Sequence, residues 1–252
     1  MTFTEYNTVE QMILDSVAPK RHGEPLNIRE DRAPGWRGSL GGELRPARWD
    51  YMPAAQLPRQ SGDVIVEPWV REALILLNPE IAAQPDRADE VIYNLRACIL
   101  SVQADGLVRA NENFMAWLRG EKTMPFGPHG EHVTVRLVDA SHPADNRLTV
   151  CNQWTHQAGA VEKRFDAVFL INGLPLVIGE AKTPTRSAVT WFDGAFQVNE
   201  IYEKQVPAMF VPNVFSFATE GRLFREGDVG SEATCCIPRL AECQESAFGV
   251  TH

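Results

Sequence analysis

No apolar run in the sequence approaches the ~18 residues that a membrane-spanning helix needs. The opening residues, MTFTEYNTVEQ, have neither a basic n-region nor an apolar h-region, so no secretory leader is expected. Cysteine is scarce. Cys98, Cys151, Cys235, Cys236 and Cys243 are odd in number and contain no CxxC pair, which argues for reduced thiols and against a disulfide frame or a zinc knuckle. Positive charge is in deficit as well: 24 Lys and Arg against 33 Asp and Glu leave a net charge of −9. A free-standing nucleic-acid binder ordinarily offsets phosphate charge with a basic face. Any contact with nucleic acid must therefore be local, metal-assisted or shared with a partner surface. Neither a GxxxxGK[ST] phosphate loop nor an HExxH zinc-hydrolase motif occurs. These absences point to a soluble, cytoplasmic protein with no membrane association.

What is present suits a globular fold. Apolar residues make up 44% of 252, enough for one large domain or two small ones. Residues 4–18 space Val9, Met12, Ile13 and Val17 as one face of a helix, with Thr4 or Asn7 as its cap. From Pro19 to Pro68 the chain is rich in Pro, Gly and Arg and carries Trp36, Trp49 and Trp69, which predicts irregular structure packed on the domain, with a short strand at Asp63–Glu67. Helices are predicted at Glu67–Asn78, Arg87–Gln103 and Asn111–Leu118, the last after a break at Gly106. Strands follow at His132–Asp139, Leu148–Gln153, Arg164–Ile171 and Leu174–Ala181, then a helix at Ala195–Gln205 and a strand at Ala208–Ala218. Helices first, then consecutive strands, then helix and strand, is an α/β (α+β) order: a mixed central sheet flanked by helices.

The informative stretch is KRFDAVFLINGLPLVIGEAKTPTR, residues 163–186. Two apolar strands flank Asn172-Gly173, a pair that tolerates positive φ and signals a hairpin. Asp166, Glu180 and Lys182 sit within these strands. Burying carboxylates beside Val168, Val177 and Ile178 is costly unless a cation or hydrogen bonds compensate; the simpler alternative is strand-end charges facing water. With a strict two-residue loop, Asp166 would face Gly179 and Glu180 would point to the other side of the sheet. One extra residue brings the carboxylates opposite each other, about 4.5–5.5 Å apart at Cβ. Two carboxylates so placed call for a divalent cation, and oxygen ligands suit Mg²⁺. A one-residue irregularity is thus required, and Gly179 is its expected place.

Asp166 followed by Glu180-Ala181-Lys182 resembles the Asp…Glu-x-Lys pattern of the PD-(D/E)xK nucleases, although Phe165 replaces the literal proline. The wider sequence resembles the N-terminal nuclease region of the restriction (R) subunit of type I restriction-modification systems. The likeness runs through the acidic helix around Glu10, ALILLNPE (73–80), ANENFMAWLRGE (110–121), VRLVDASHPADNRLTVCNQW (135–154), RFDAVFLINGLPLVIGEAK (164–182) and VPAMFVPNVFSFATEG (206–221). It covers residues 1–230, with a catalytic core over about 132–220; residues 231–252 diverge and are expected to pack poorly.

The resemblance implies a restriction-endonuclease-like core and Mg²⁺-dependent hydrolysis of phosphodiesters in double-stranded DNA. Asp166, Glu180 and the Ala181 carbonyl would hold the metal, and Lys182 would orient the attacking water or stabilise charge on the phosphate. Glu10 would stand behind the site or face the metal, or else be an ordinary exposed helix acid. The family also carries a Gln-x-x-x-Tyr element. Here Gln197 and Tyr202 are one residue further apart, which on an α-helix turns them ~140° from each other instead of ~40°. Their role in positioning is set against a core or surface one. Lys163, Arg164 and Arg186, with Lys204 nearby, could form a local rim for phosphate. Partners implied are methylation and specificity subunits and a helicase-type, ATP-driven motor normally on the same polypeptide. A different class of function, a catalytically inactive DNA-binding or assembly module of the same fold, stays open. His129 and His132 form a short HxxH beside Gly127-Pro128 and are expected to be solvated, and Gly41-Gly42 is expected to be a turn.

Overall fold

The computed structural model describes residues 9–18, 49–182, 197–219, 224–227 and 235–237. Five strands lie side by side in a mixed sheet: β1 (Asp50–Tyr51), β4 (Leu148–Ala158), β5 (Val161–Ile171), β6 (Leu174–Ala181) and β7 (Phe215–Thr219). Two further strands, β8 (Phe224–Gly227) and β9 (Cys235–Ile237), continue the sheet beyond β7. Strands β4, β5 and β6 form an antiparallel meander, whereas β1 joins β4 and β7 joins β6 in parallel. A separate two-stranded ribbon pairs β2 (Thr123–Met124) with β3 (Val133–Thr134). Among the described residues no helix is long and apolar enough to cross a membrane.

Each sheet face has its own cover. On one, α2 (Glu67–Leu77), α3 (Pro79–Ala83), α4 (Arg87–Leu100), α5 (Val102–Asp105) and α6 (Leu107–Leu118) supply Trp69, Leu74, Leu95 and Phe114 to a core shared with Trp154, Phe165 and Val168. On the other, the short α1 (Gln11–Val17) and the residues before it bring Val9, Ile13 and Leu14 onto Val150, Ala167, Phe169 and Phe217. Helices on both faces of a mixed sheet make an α/β fold, as the element order predicts.

The hairpin between β5 and β6 forms as its residues dictate. Asn172 and Gly173 both take positive φ, 54° and 87°, the conformation of a twisted two-residue turn. A side chain at Gly173 would collide with the carbonyl of Val66, and the Gly173 carbonyl accepts the Val66 N–H at 2.8 Å. The predicted strand at Asp63–Glu67 is therefore absent. Ile65 and Val66 are buried by docking onto the hairpin turn, and Glu67 already opens α2.

Other predicted strands are shorter than the apolar runs suggested. Of His132–Asp139 only Val133–Thr134 pairs, because the Asn78 side-chain amide claims the backbone N–H and C=O of Arg136 at 2.7 and 2.9 Å. Of Ala208–Ala218 only Phe215 onward is strand. Pro207 opens a 3-10 turn, and Asn111 Nδ2 gathers the carbonyls of Val211 and Asn213 at 3.0 and 2.8 Å. Strand β4 is longer than predicted, running on to Ala158. The Trp49 ring packs edge-on against Phe169 at 5.2 Å, as the aromatic content of the early segment predicts. Trp36, Thr4, Asn7 and the Gly41-Gly42 turn lie outside the described residues.

The irregularity that the charges require is present, at a different place. Phe169 pairs with Val177 and Leu170 with Pro175, so Leu176 is the extra residue on β6. Pro175 has no N–H to give a ladder, and bulges are where strands accommodate proline. Gly179 has another reason: a Cβ there would strike the Phe217 ring of β7.

Candidate active site

With the bulge at Leu176, Ala167 pairs with Gly179, and one further step along the ladder puts Asp166 across from Glu180. On the other side of β5, Asn152 pairs with Ala167 and Trp154 with Phe165, so Gln153 stands across from Asp166. Gln153, Asp166 and Glu180 thus form one row over three strands. The row is also where two strands change face. Residues two apart on a regular strand share a face, yet Ala167 packs under α1 while Phe165 packs in the opposite core. Val150 and Trp154 on β4 divide in the same way. The register does not slip; instead Gln153 adopts φ 56°, a left-handed conformation unusual for a residue other than Gly, Asn or Asp.

Polar contacts run outward from this row in both directions. The Ala181 N–H donates to Asp166 Oδ2 at 2.9 Å, so a side chain fills a ladder position at the end of β6. Glu180, only 3% exposed, accepts a hydrogen bond at Oε1 from Lys182 Nζ at 2.8 Å. The same ammonium donates to Gln197 Oε1 at 2.6 Å, and Gln197 Nε2 donates to the Tyr202 hydroxyl. On the other side Gln153 Nε2 donates to Glu10 Oε2 at 2.7 Å, joining residues 143 positions apart. Glu10 is buried, so the exposed-acid alternative does not hold.

The spacing argument against Gln197 and Tyr202 is overturned by helix type. Residues Gln197–Tyr202 form a π-helical turn, in which residues five apart are hydrogen-bonding neighbours one turn on. The extra residue that would turn the two side chains apart on an α-helix is absorbed by the wider turn, and they meet. Tyr202 records the charge around it. Burial and then the nearby carboxylates of Glu180 and Asp166 push its phenol up to about 12 against the Gln197 hydrogen bond.

Of the basic residues, Lys163 lies over the Tyr202 ring with Nζ 5.6 Å from its centroid, and Arg164 is exposed beside it in sequence. Lys204 is also exposed. Arg186 lies outside the described residues. Gln153 is the residue that reading the sequence missed; it follows Asn152 in a strand of many polar side chains, and nothing in the sequence marks it out.

A second acidic cluster lies elsewhere. Asp139, His142 and Asp145 each present one ligand atom within 4.8 Å of the others and could hold a metal ion. His129 and His132 are exposed, with His132 Nδ1 3.1 Å from the Thr123 hydroxyl.

Residues 43–234 match the family described as the type I restriction enzyme R protein N terminus. The type I restriction enzyme HindI endonuclease subunit of Haemophilus influenzae is 30% identical over 212 residues. The match takes in 83% of this chain and 19% of that protein, so the chain spans a small part of its relative's length. A match over most of the chain, with the hairpin and its charges inside it, decides the family: the chain belongs to the N-terminal regions of type I restriction enzyme R proteins.

Proposed function

We propose that the chain is the endonuclease domain of a type I restriction R subunit, a PD-(D/E)xK core that hydrolyses phosphodiesters of double-stranded DNA with Mg²⁺. The domain spans residues 1–230, with its core at about 132–220 and Cys235–Ile237 adding an edge strand to its sheet. It works in the cytoplasm, in a complex whose methylation and specificity subunits choose the DNA and whose ATP-driven motor moves it. The observation that carries this reading is the row itself: Asp166 and Glu180 on adjacent strands, with the Lys182 ammonium 2.8 Å from Glu180.

The donor set fits a hard divalent cation. Two carboxylates on neighbouring strands repel each other, and their charge adds to burial in raising the phenol of Tyr202. An extended residue turns its N–H and C=O to the same edge. Since the Ala181 N–H reaches Asp166, its carbonyl faces that side too and completes an oxygen set with Asp166 and Glu180. When bound, Mg²⁺ supplies Lewis-acid polarisation of the phosphoryl oxygen and an acidified water. Lys182, held between Glu180 and Gln197, aims its positive charge at oxygens of the reacting phosphate. Gln197 and Tyr202 fix that lysine. Lys163 and Arg164 offer the local positive rim that an acidic chain needs at the DNA backbone.

The test is DNA cleavage by the reconstituted complex carrying Asp166→Asn, Glu180→Gln or Lys182→Gln. Each variant is expected to assemble normally and to cut at a rate lowered by more than about a hundredfold. Assembled complex that still cuts at the wild-type rate with any of these changes removes that residue from the chemistry. Retention by all three leaves the inactive, DNA-binding module as the reading.

A further inference from the structure

We propose that Gln153 is a positioning residue of this site, turning the Asp166 row with its backbone and seating Glu10 as a third carboxylate with its side chain. The proposal rests on the reading that Asp166 and Glu180 hold the divalent cation. Three observations meet at this residue. Gln153 stands across from Asp166, between the paired Asn152–Ala167 and Trp154–Phe165. It takes φ 56°, where a long unbranched side chain gains nothing from the backbone and only a local requirement keeps it. Its amide donates at 2.7 Å to a glutamate that is 3% exposed and caps the helix whose Ile13 and Leu14 pack on the sheet.

The two roles follow from geometry. The change of face at Gln153 is matched by the change at Asp166, since Trp154 and Phe165 remain paired while both leave the α1 side of the sheet. A left-handed residue on β4 therefore sets the twist that directs the Asp166 carboxylate along the sheet to the Ala181 N–H, beside Glu180. The side chain does separate work. A strand spacing of about 4.8 Å separates Gln153 from Asp166, and the Gln153 amide ties the Glu10 carboxylate to this row at 2.7 Å. A buried carboxylate is costly unless hydrogen bonds or a cation compensate, and the Gln153 amide holds Glu10 as a third carboxylate on the row that carries Asp166.

The experiment is Mn²⁺ binding to the 252-residue chain, read by calorimetry and by the loss of the free-ion electron paramagnetic resonance signal. Every variant is measured well below its own melting temperature. Asp166→Asn is expected to abolish binding. Gln153→Gly keeps the positive φ and loses only the amide, so it should weaken Mn²⁺ affinity about tenfold, as loss of a ligand-orienting partner does. Glu10→Gln should do the same, and the two together should cost little more than either alone. Gln153→Leu, which opposes positive φ and lacks the amide, should weaken binding further. Gln153→Gly decides the matter should Gln153→Leu fail to fold. Wild-type affinity in Gln153→Gly and Glu10→Gln, with Asp166→Asn still unable to bind, would overturn the role of Gln153 alone. Undiminished binding by Asp166→Asn would instead overturn the reading of the site beneath it.

Discussion

Two clusters of acidic side chains among the described residues are built on opposite principles. Asp139, His142 and Asp145 belong to one short loop, and that loop accounts for most of their contacts. Asp139 Oδ1 accepts the backbone N–H groups of Ser141 and His142 at 2.9 and 3.0 Å, an ordinary way for aspartate to close a turn. Asn146 completes the loop by accepting the Asp139 N–H at 2.8 Å and donating to its carbonyl at 2.7 Å. The row at Gln153, Asp166 and Glu180 draws instead on α1, three strands and a π-helical turn, and its carboxylates serve no turn. Charge that folds a loop is explained by the loop. Charge gathered from distant segments and buried in a sheet needs a reason beyond folding.

The sharpest way to break this comparison is to remove the nitrogen-bearing partner of a carboxylate from each cluster. The Lys182 and Glu180 side chains are 11% and 4% exposed, so Lys182→Met strands a carboxylate in the interior. Truncating one partner of a buried pair costs about 3–5 kcal/mol, whereas replacing both with apolar residues is often neutral. Urea unfolding of the isolated chain should therefore show a large loss for Lys182→Met and recovery of most of it in Lys182→Met with Glu180→Leu. The matching change His142→Ala, at a side chain 64% exposed, should lower the unfolding free energy by no more than about 1 kcal/mol. Equal effects at the two sites would mean that burial does not distinguish them.

How far each region could be read from the sequence follows the same division. The hairpin is local, so Asn172-Gly173 and its two apolar strands are legible from a dozen residues. The need for one extra residue is also legible, since only that brings Asp166 opposite Glu180. Its position is not, because Gly179 carries a bulge signal and a packing constraint from Phe217 that look alike until β7 is in place. Strand β4 reads as ending at Gln153 because the change of face there breaks the alternation, although the ladder continues. Glu10 gives no hint of burial, its partner being 143 residues away. The Gln197 and Tyr202 spacing does carry a signal, but it is read correctly only when the helix may widen to a π-turn.

The buried side of the comparison should also respond to acid. His156 follows the row on β4, is 2% exposed, and has its pKa lowered to about 4, first by burial and then by the Arg59 guanidinium. Arg59 itself stacks on Trp154 at 3.5 Å and donates to the Thr155 carbonyl at 2.5 Å. Above pH 6.5, the ordinary value, His156 is neutral in both states and its contribution to stability is complete. Between 6.5 and about 4 the unfolded chain takes up a proton that the folded one refuses, so stability falls by about 3 kcal/mol over that interval. Urea midpoints measured from pH 7.5 to 4.5 should show this slope, and His156→Gln should flatten it. An unchanged slope in that variant would place the acid sensitivity elsewhere.

The smallest effect belongs to the loop. Asp139→Ala removes the acceptor for two backbone N–H groups in a partly exposed turn, a loss like that of a helix cap and worth about 1 kcal/mol. If turn closure is all that this aspartate does, Asp139→Asn should recover most of the stability, because its carbonyl oxygen can accept the same two hydrogen bonds. Divalent cation should then stabilise wild type, Asp139→Ala and Asp139→Asn equally, through the carboxylates of the sheet. A metal-dependent rise in melting temperature that vanishes in Asp139→Asn but persists in Asp166→Asn would reverse the assignment. The turn would then be where an ion binds, and the buried row would have to be explained by folding after all.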